Sequence, residues 1–344
     1  MPALSQRTQP IRSIRVAHFT FVLYVVGLPL FIGGLALGHP MGMMFGAATF
    51  GTALLAFVVN VAATLTRGPR RDVTWWALAG ALAFLVVTLA LGLTLAGNLR
   101  WGFLRELRFL ALGVHLHVAL GGWVLLVIIG VAQKLLPMFL LSHGGGDRPA
   151  RAAVALIAAG AAWLTFFHHL PGKSWRVAAA LLGAGLACFL GQAWLFYRRR
   201  HRPALDPGMR LAAAGLGLLA SSLILAAVVA TQDVHPRVWT AYVSAVVLGI
   251  SLFVAALYYK IVPFLVWYHR FGPLAGTQAV PQVAELYSAP VAHASGLLLV
   301  LGAVGLTGAV LVGQPGVARL AAVVLAGGVV TEAFQMFQLS RSGP

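Results

Sequence analysis

Ten apolar stretches, each about as long as a hydrocarbon layer is thick, follow one another along this chain with only short polar joints between them. A bilayer core about 30 Å thick needs roughly 20 apolar residues of helix to cross it. By that ruler the crossing segments run over about 17–38, 41–66, 73–97, 108–141, 150–170, 175–197, 208–231, 238–268, 289–312 and 316–340. Turn or charge signals part them, among them Gly38–Pro40, Arg67–Asp72, Gly144–Arg151, Arg198–Pro207 and Gly313–Gly316. Lipid offers no partner to a free backbone group, so runs of this length specify helices. The expected fold is all-α, a single polytopic transmembrane bundle of about ten spans over residues 1–344. Charged residues are 9% of the chain and mean hydropathy is +0.91, whereas about a quarter of a soluble domain is charged. The longest connection, 271–288 with Pro273, Gly276, Pro281 and Glu285, is expected at the surface, and no soluble domain fits between any two spans.

Basic residues orient the bundle. With the N-terminus inside, the inner joints collect Arg7, Arg12, Arg15, Arg67, Arg70, Arg71, Arg148, Arg151 and the run from Arg198 to Arg202. The outer joints hold far fewer, such as Arg100, Arg105 and Arg108. That bias follows the positive-inside rule for a bacterial inner (cytoplasmic) membrane. The net charge of +17 is then a topology signal and a contact with anionic membrane lipid. No stripe of charge with interleaved aromatics points to nucleic acid. No cleavable signal peptide is expected, because the basic start runs into an apolar segment without a small-residue cleavage pattern. The one cysteine, Cys188, excludes a disulfide framework and a CxxCH haem attachment.

One internal echo is visible. Segment four ends Gly130-Val-Ala-Gln-Lys-Leu-Leu-Pro-Met-Phe139 and segment eight ends Ala256-Leu-Tyr-Tyr-Lys-Ile-Val-Pro-Phe-Leu265. Both place a lysine three residues before a proline near the inner end, where Lys134 and Lys260 are expected to snorkel to the headgroups.

Histidine carries whatever chemistry the chain has. Seven acidic residues are present and only Glu332 lies deep in a span, against eleven histidines. His143, His201 and His269 sit among arginines and glycines of inner joints, and His39 and His235 precede prolines in outer ones, so these read as interfacial. His115-Leu-His117 falls one to two turns inside segment four. Residues two apart on a helix point about 200° apart, so the pair serves two sites on opposite flanks. Ionisable groups inside a membrane mark function by default, and neutral imidazole ligates haem iron, copper or zinc. The competing reading is a hydrogen bond to a neighbouring helix or to interfacial water. His168-His169 close segment five on the outer side, where they either ligate a metal or lie in the interface. His18 and His293 enter spans near their inner ends, as axial ligands of an inner-side haem or as packed side chains. His18 lies ~30 Å from the outer end of its segment at 1.5 Å per residue, too far to share a haem with His115.

The run His115-Leu-His117-Val-Ala-Leu-Gly-Gly-Trp-Val-Leu-Leu-Val-Ile-Ile-Gly130, ending Leu-Leu-Pro-Met-Phe139, resembles ligand helices of the haem–copper oxidase and nitric oxide reductase superfamily. It is also similar to small multi-pass oxidase-subunit-I-like proteins and to nitric-oxide-response haem–copper membrane proteins. The resemblance covers one helix, with segments one and eight as support. It implies that His115 binds a high-spin, gas-binding iron and His117 a low-spin, electron-transferring iron, both toward the outer side. The chain departs from the oxidases in having ten spans rather than twelve, and no span carries their copper-site motif.

The expectation is therefore a membrane protein holding one or two b-type haems, with His115, His117, His18 and His293 as haem ligands. His115, His117, His168 and His169 are the wider set of metal ligands, and copper is left open. Its role would be electron transfer or oxygen and nitric oxide chemistry, as a haem-dependent oxidoreductase if it turns over a substrate. Its partners would be lipid, an electron donor or a diatomic gas, and a second copy of the chain. The alternative is a multi-pass transporter for a metal or small solute with histidines along its path, for which inverted repeats with broken spans would speak. The echo seen here is parallel.

Overall fold

A computed structural model describes residues 11–67, 71–143, 146–168, 174–232 and 234–341. It is 86% helical, and the described residues form no strand. Ten helical segments are long and apolar enough to cross a bilayer, so the chain is a multi-pass, all-α membrane protein. The first three are α1 (Ile14–Ala36), α2 (Pro40–Leu65) and α3 (Val73–Trp101). The fourth begins with a 3-10 turn, Arg105–Leu107. It continues as α4 (Arg108–His117), a π-helical stretch (Val118–Leu125) and α5 (Leu126–Leu140). Next come α6 (Arg148–Phe167), α7 (Trp175–Arg198), α8 (Pro207–Thr231) and α9 (Pro236–Val266), which runs into a π-helical turn at Trp267–Phe271. Last are α10 (Ala289–Val312) and α11 (Pro315–Arg341). The segments expected from sequence fall on these helices. The fourth and eighth overrun a simple crossing at 36 and 39 residues because each includes a π-helical stretch and a 3-10 turn.

The helix starts follow from local chemistry. The first amides of a helix lack intrahelical partners, and a side-chain acceptor at the cap supplies one. The Ser13 hydroxyl accepts from the Val16 N–H at 3.2 Å, Asp72 from Trp75 at 3.0 Å and Asp206 from Met209 at 3.1 Å. His39 and His235 do the same through Nδ1, from Gly42 at 3.0 Å and Arg237 at 3.2 Å. Both therefore serve as helix caps, consistent with their interfacial reading. Proline opens α2, α8, α9 and α11, where its missing N–H costs nothing.

The described chain divides into two compact units. One comprises the residues up to Lys134 together with Asp147–Phe189, the other Leu135–Gly146 together with the residues from Leu190 onward. In the first, α1 packs along α2, α2 on α3, and α3 on the π-helical stretch. In the second, α8 packs on α9 and α10 on α11, with α9 and α10 also in contact.

Small residues set these contacts, because apolar burial drives no association between helices already in lipid. On α10 a Cβ at Gly302 would fall 2.6 Å from the Cα of Leu325 on α11, whereas at Gly308 it would meet nothing within 4 Å. Gly302→Ala is therefore expected to destabilise the detergent-solubilised protein by about 1–3 kcal/mol, the usual cost of overpacking. Gly308→Ala should be neutral or stabilising through helix propensity. Thermal unfolding of the two variants side by side checks the α10–α11 contact.

Candidate functional site

The fourth span is where the chain departs from regular helix. In Val118–Leu125 the backbone bonds five residues apart rather than four, a rare pattern that is frequent at functional sites. Glycine permits it here. Gly122 lies so close to Phe84 of α3 and Ala161 of α6 that a Cβ would come within 2.8 Å and 3.0 Å of their side chains. The widened turn begins at the residue after His117.

The two histidines of the pair are held differently. Nδ1 of His117 lies 2.7 Å from the Gly113 carbonyl one turn back. As a donor there, it fixes the tautomer that carries its lone pair on Nε2, the state that a metal-ligating imidazole adopts. His115 lies against α3 instead. A Cβ at Gly92 would stand 3.1 Å from its Cε1, its ring bonds the Thr88 backbone, and its Nδ1 is buried without a partner. The opposite-flank geometry expected from the spacing is thus realised, with one ring on the α3 interface. The residues that receive His115, Thr88 and Gly92, carry no sequence signal that could have paired them with it.

Val114 and Val118, on either side of His117, are 4% and 0% exposed and pack with Leu164 and Ala178. Phe84, Val87, Leu91, Trp163 and Leu182 close around that cluster. Nδ1 of His168 lies 2.9 Å from the carbonyl of Leu164 one turn back. Two imidazoles, one in α4 and one just after α6, thus share the same backbone-anchored Nδ1. His169 lies outside the described residues. His18 and His293 sit on exposed faces of α1 and α10, and Nδ1 of His293 lies 2.8 Å from the Ala289 carbonyl. Among the described residues no three His, Cys, Asp or Glu side chains converge as a metal group.

At the predicted inner ends the structure supplies partners that the sequence reading did not. Lys134 donates to Asp72 at 2.8 Å. Lys260 does not snorkel: its side chain is 11% exposed and it pairs with Asp206. Each aspartate also caps a helix, α3 and α8 respectively. The echo therefore extends from Lys-x-x-Pro to a capping aspartate at the start of the preceding span.

A second polar group, also missed from sequence apart from Glu332, lies in the unit containing α8 to α11. Glu332 and Gln335 on α11 are 6% and 4% exposed, Ser295 on α10 is 0% and Tyr259 on α9 is 2%. The signal that could have found it is the i, i+3 spacing of Glu332 and Gln335 on one face of an apolar helix.

No family model matches the chain, and no curated protein matches it in sequence.

Burial alone would raise the Asp72 carboxyl. The bonds from Lys134 and from the Trp75 and Thr74 backbone outweigh it and hold the group below the usual carboxylate range. A depressed folded-state value means that the stabilisation is present above the unfolded value, about 4. It is lost as pH falls through the folded one. Asp72→Asn keeps a capping acceptor but removes the charge. The thermal midpoint of the wild type should exceed that of Asp72→Asn at neutral pH and converge with it below about pH 4. The gap should be small, because the Asp72 side chain is 42% exposed and solvent screens such pairs.

Proposed function

We propose that the protein binds b-type haem through histidine in a bacterial inner membrane, with its N-terminus inside. It would serve electron transfer or the chemistry of a diatomic gas, oxygen or nitric oxide, as a relative of the haem–copper oxidases. The observation that carries this reading is His117. Its neighbours Val114 and Val118 are buried in an apolar cluster, its Nδ1 is anchored on the Gly113 carbonyl, and a π-helical turn begins directly after it. The distribution of arginines supports the orientation, and the His115–Phe139 run supports the relationship.

The residues present fit the group unevenly. Both His117 and His168 have Nδ1 anchored on the carbonyl one turn back, the arrangement of an axial ligand, and are the candidates of this reading. His115 fits less well, since its ring is engaged by Thr88 and packed on Gly92. To ligate, it would have to turn off α3, a move that its unpartnered Nδ1 does not oppose. His18 on α1 and His293 on α10 are separate candidates in this reading, each on an exposed face, so a haem held by either would border lipid or a second protomer. Haem supplies the one-electron or gas-binding chemistry, and its potential follows from ligand and burial. The chain's own part is to hold His117 in one tautomer and raise its basicity through the Gly113 carbonyl.

Optical spectra of the purified protein, oxidised and dithionite-reduced, with a pyridine haemochrome assay, test the proposal. A b-type spectrum is expected. His117→Ala and His168→Ala should each lower haem content at least tenfold, while His39→Asn, which keeps its helix cap, should leave it unchanged. A colourless protein from cells supplied with haem would overturn the reading, and metal found in it by elemental analysis would turn attention to transport.

A further inference from the structure

The unit containing α8 to α11 holds a chain of polar side chains that haem ligation does not use. At the end of the bundle where the inner joints lie, Lys260 pairs with Asp206, and Arg202 lies 3.7 Å from the same carboxylate. Tyr287, in the connection before α10, comes next. Burial pushes its hydroxyl up to about 12, with the charges of Asp206 and Tyr259 adding to the effect. Its ring centroid lies 5.6 Å from that of Tyr259. The Tyr259 hydroxyl, within a side chain 2% exposed, is close enough to Ser295 and to the Glu332 carboxyl to interact with both, yet completes no full hydrogen bond. The chain ends at Glu332, whose Oε1 is buried and unpartnered. One turn nearer the end of α11, Gln335 donates through Nε2 to the Ser288 carbonyl at 2.8 Å, and its own Oε1 is likewise buried without a donor.

Three buried oxygens with unmet hydrogen-bonding capacity therefore occupy one region, on Tyr259, Glu332 and Gln335. Such an atom is rare in a folded protein and calls for a reason. An ionised carboxylate at Glu332 would add a charge with no cation to meet it. Among the described residues no charged side chain acts on Glu332, and Tyr259 of α9 is its only titratable neighbour. From α10 it meets Ser295, whose hydroxyl donates to the Gly328 carbonyl at 3.1 Å. His293 of α10 is on an exposed face instead. A proton on Glu332 removes the charge and turns an acceptor into a donor.

We infer that Glu332 is a proton-exchanging carboxyl, loaded and unloaded through Tyr259 and Tyr287 from the end of the bundle that carries Asp206 and Lys260. On loading, the carboxylate forms an O–H bond with a proton that a hydronium ion gives up at that surface, leaving water. Unloading reverses the step, and no electron moves. Glu332 lies about 13 Å along α11 from Arg341 at 1.5 Å per residue, so the proton travels roughly a third of the way across the bilayer. Such a site serves any process in which proton uptake accompanies chemistry or transport. It rests on these helices alone and not on the haem reading, so the two stand or fall separately.

Infrared spectroscopy of the full-length protein in lipid, in H2O and in D2O at neutral pH, tests it. The chain has three glutamates, Glu106, Glu285 and Glu332. Carboxyl-13C glutamate therefore singles them out from the aspartates without any substitution. A protonated carboxyl band that carries the 13C shift is expected, and it should move within minutes of transfer to D2O. Glu332→Gln should abolish it, and Tyr259→Phe should keep it but slow the deuterium shift at least tenfold. Where Glu332→Gln fails to fold, the labelled wild-type protein and Tyr259→Phe decide alone. Absence of the labelled band, a band that does not move in D2O over hours, or unchanged exchange in Tyr259→Phe would each overturn the inference.

Discussion

In hydrocarbon a backbone amide or carbonyl without a partner costs several kcal/mol, and the structure depends on meeting that demand within the chain. Regular helix meets it between the ends. At the ends it falls to Ser13, Asp72 and Asp206, and to two histidines, His39 and His235, each accepting from an amide just inside its helix. The same demand explains why side-chain hydroxyls fold back on carbonyls three or four residues earlier, as Thr49, Thr94 and Thr165 do. A polar group that finds no partner in such a setting stands out more than it would in a soluble protein. In the first unit these include His115 Nδ1 and Thr88 Oγ1, and in the second Tyr259, Glu332 and Gln335.

Two aspartates show how one residue meets two demands. Asp72 closes the amide end of α3 with one oxygen and takes the Lys134 ammonium on the other. Asp206 does the same for α8 and Lys260. The helix dipole favours a carboxylate at that position, and the lysine supplies its counter-charge. The two arrangements differ in exposure. The Lys134 side chain is 65% exposed and that of Lys260 only 11%, so the second pair is far less screened by solvent. The parallel stops short of the histidines. His115 and His117 precede Lys134 by 19 and 17 residues, and the positions the same distances before Lys260 are Ala241 and Val243. Whatever produced the echo, the histidines stand in one copy only.

The spans were legible because a hydrophobic run of fixed minimum length is a one-dimensional signal. Segment nine was read as 289–312 and α10 is Ala289–Val312. The separation of His115 from His117 onto two flanks was legible for the same reason, since helical geometry sets it. What each flank meets was not, because Thr88 and Gly92 come from another helix and no spacing rule links them to His115. The π-helical stretch was hidden too. Gly121-Gly122 reads equally well as a site of close packing, and both properties turn out to be present. The pairing of Lys260 is not legible because snorkelling needs no partner in the sequence, whereas the aspartate that binds it stands 54 residues away.

Within one helix turn the chain offers two chemically different histidines, and the difference lies in which nitrogen the backbone takes. At His117 the Gly113 carbonyl one turn back engages Nδ1. At His115 the buried Nδ1 is the unpartnered atom and the ring leans on α3. A glycine at 92 is what admits that lean. Any larger residue would press on Cε1 at about 3 Å and push the imidazole off α3. The fourth span thus holds one histidine anchored on its own helix and one parked against a neighbouring helix, held there by packing and one backbone bond rather than by a full complement of partners. If the two ever act together, the one that moves is His115.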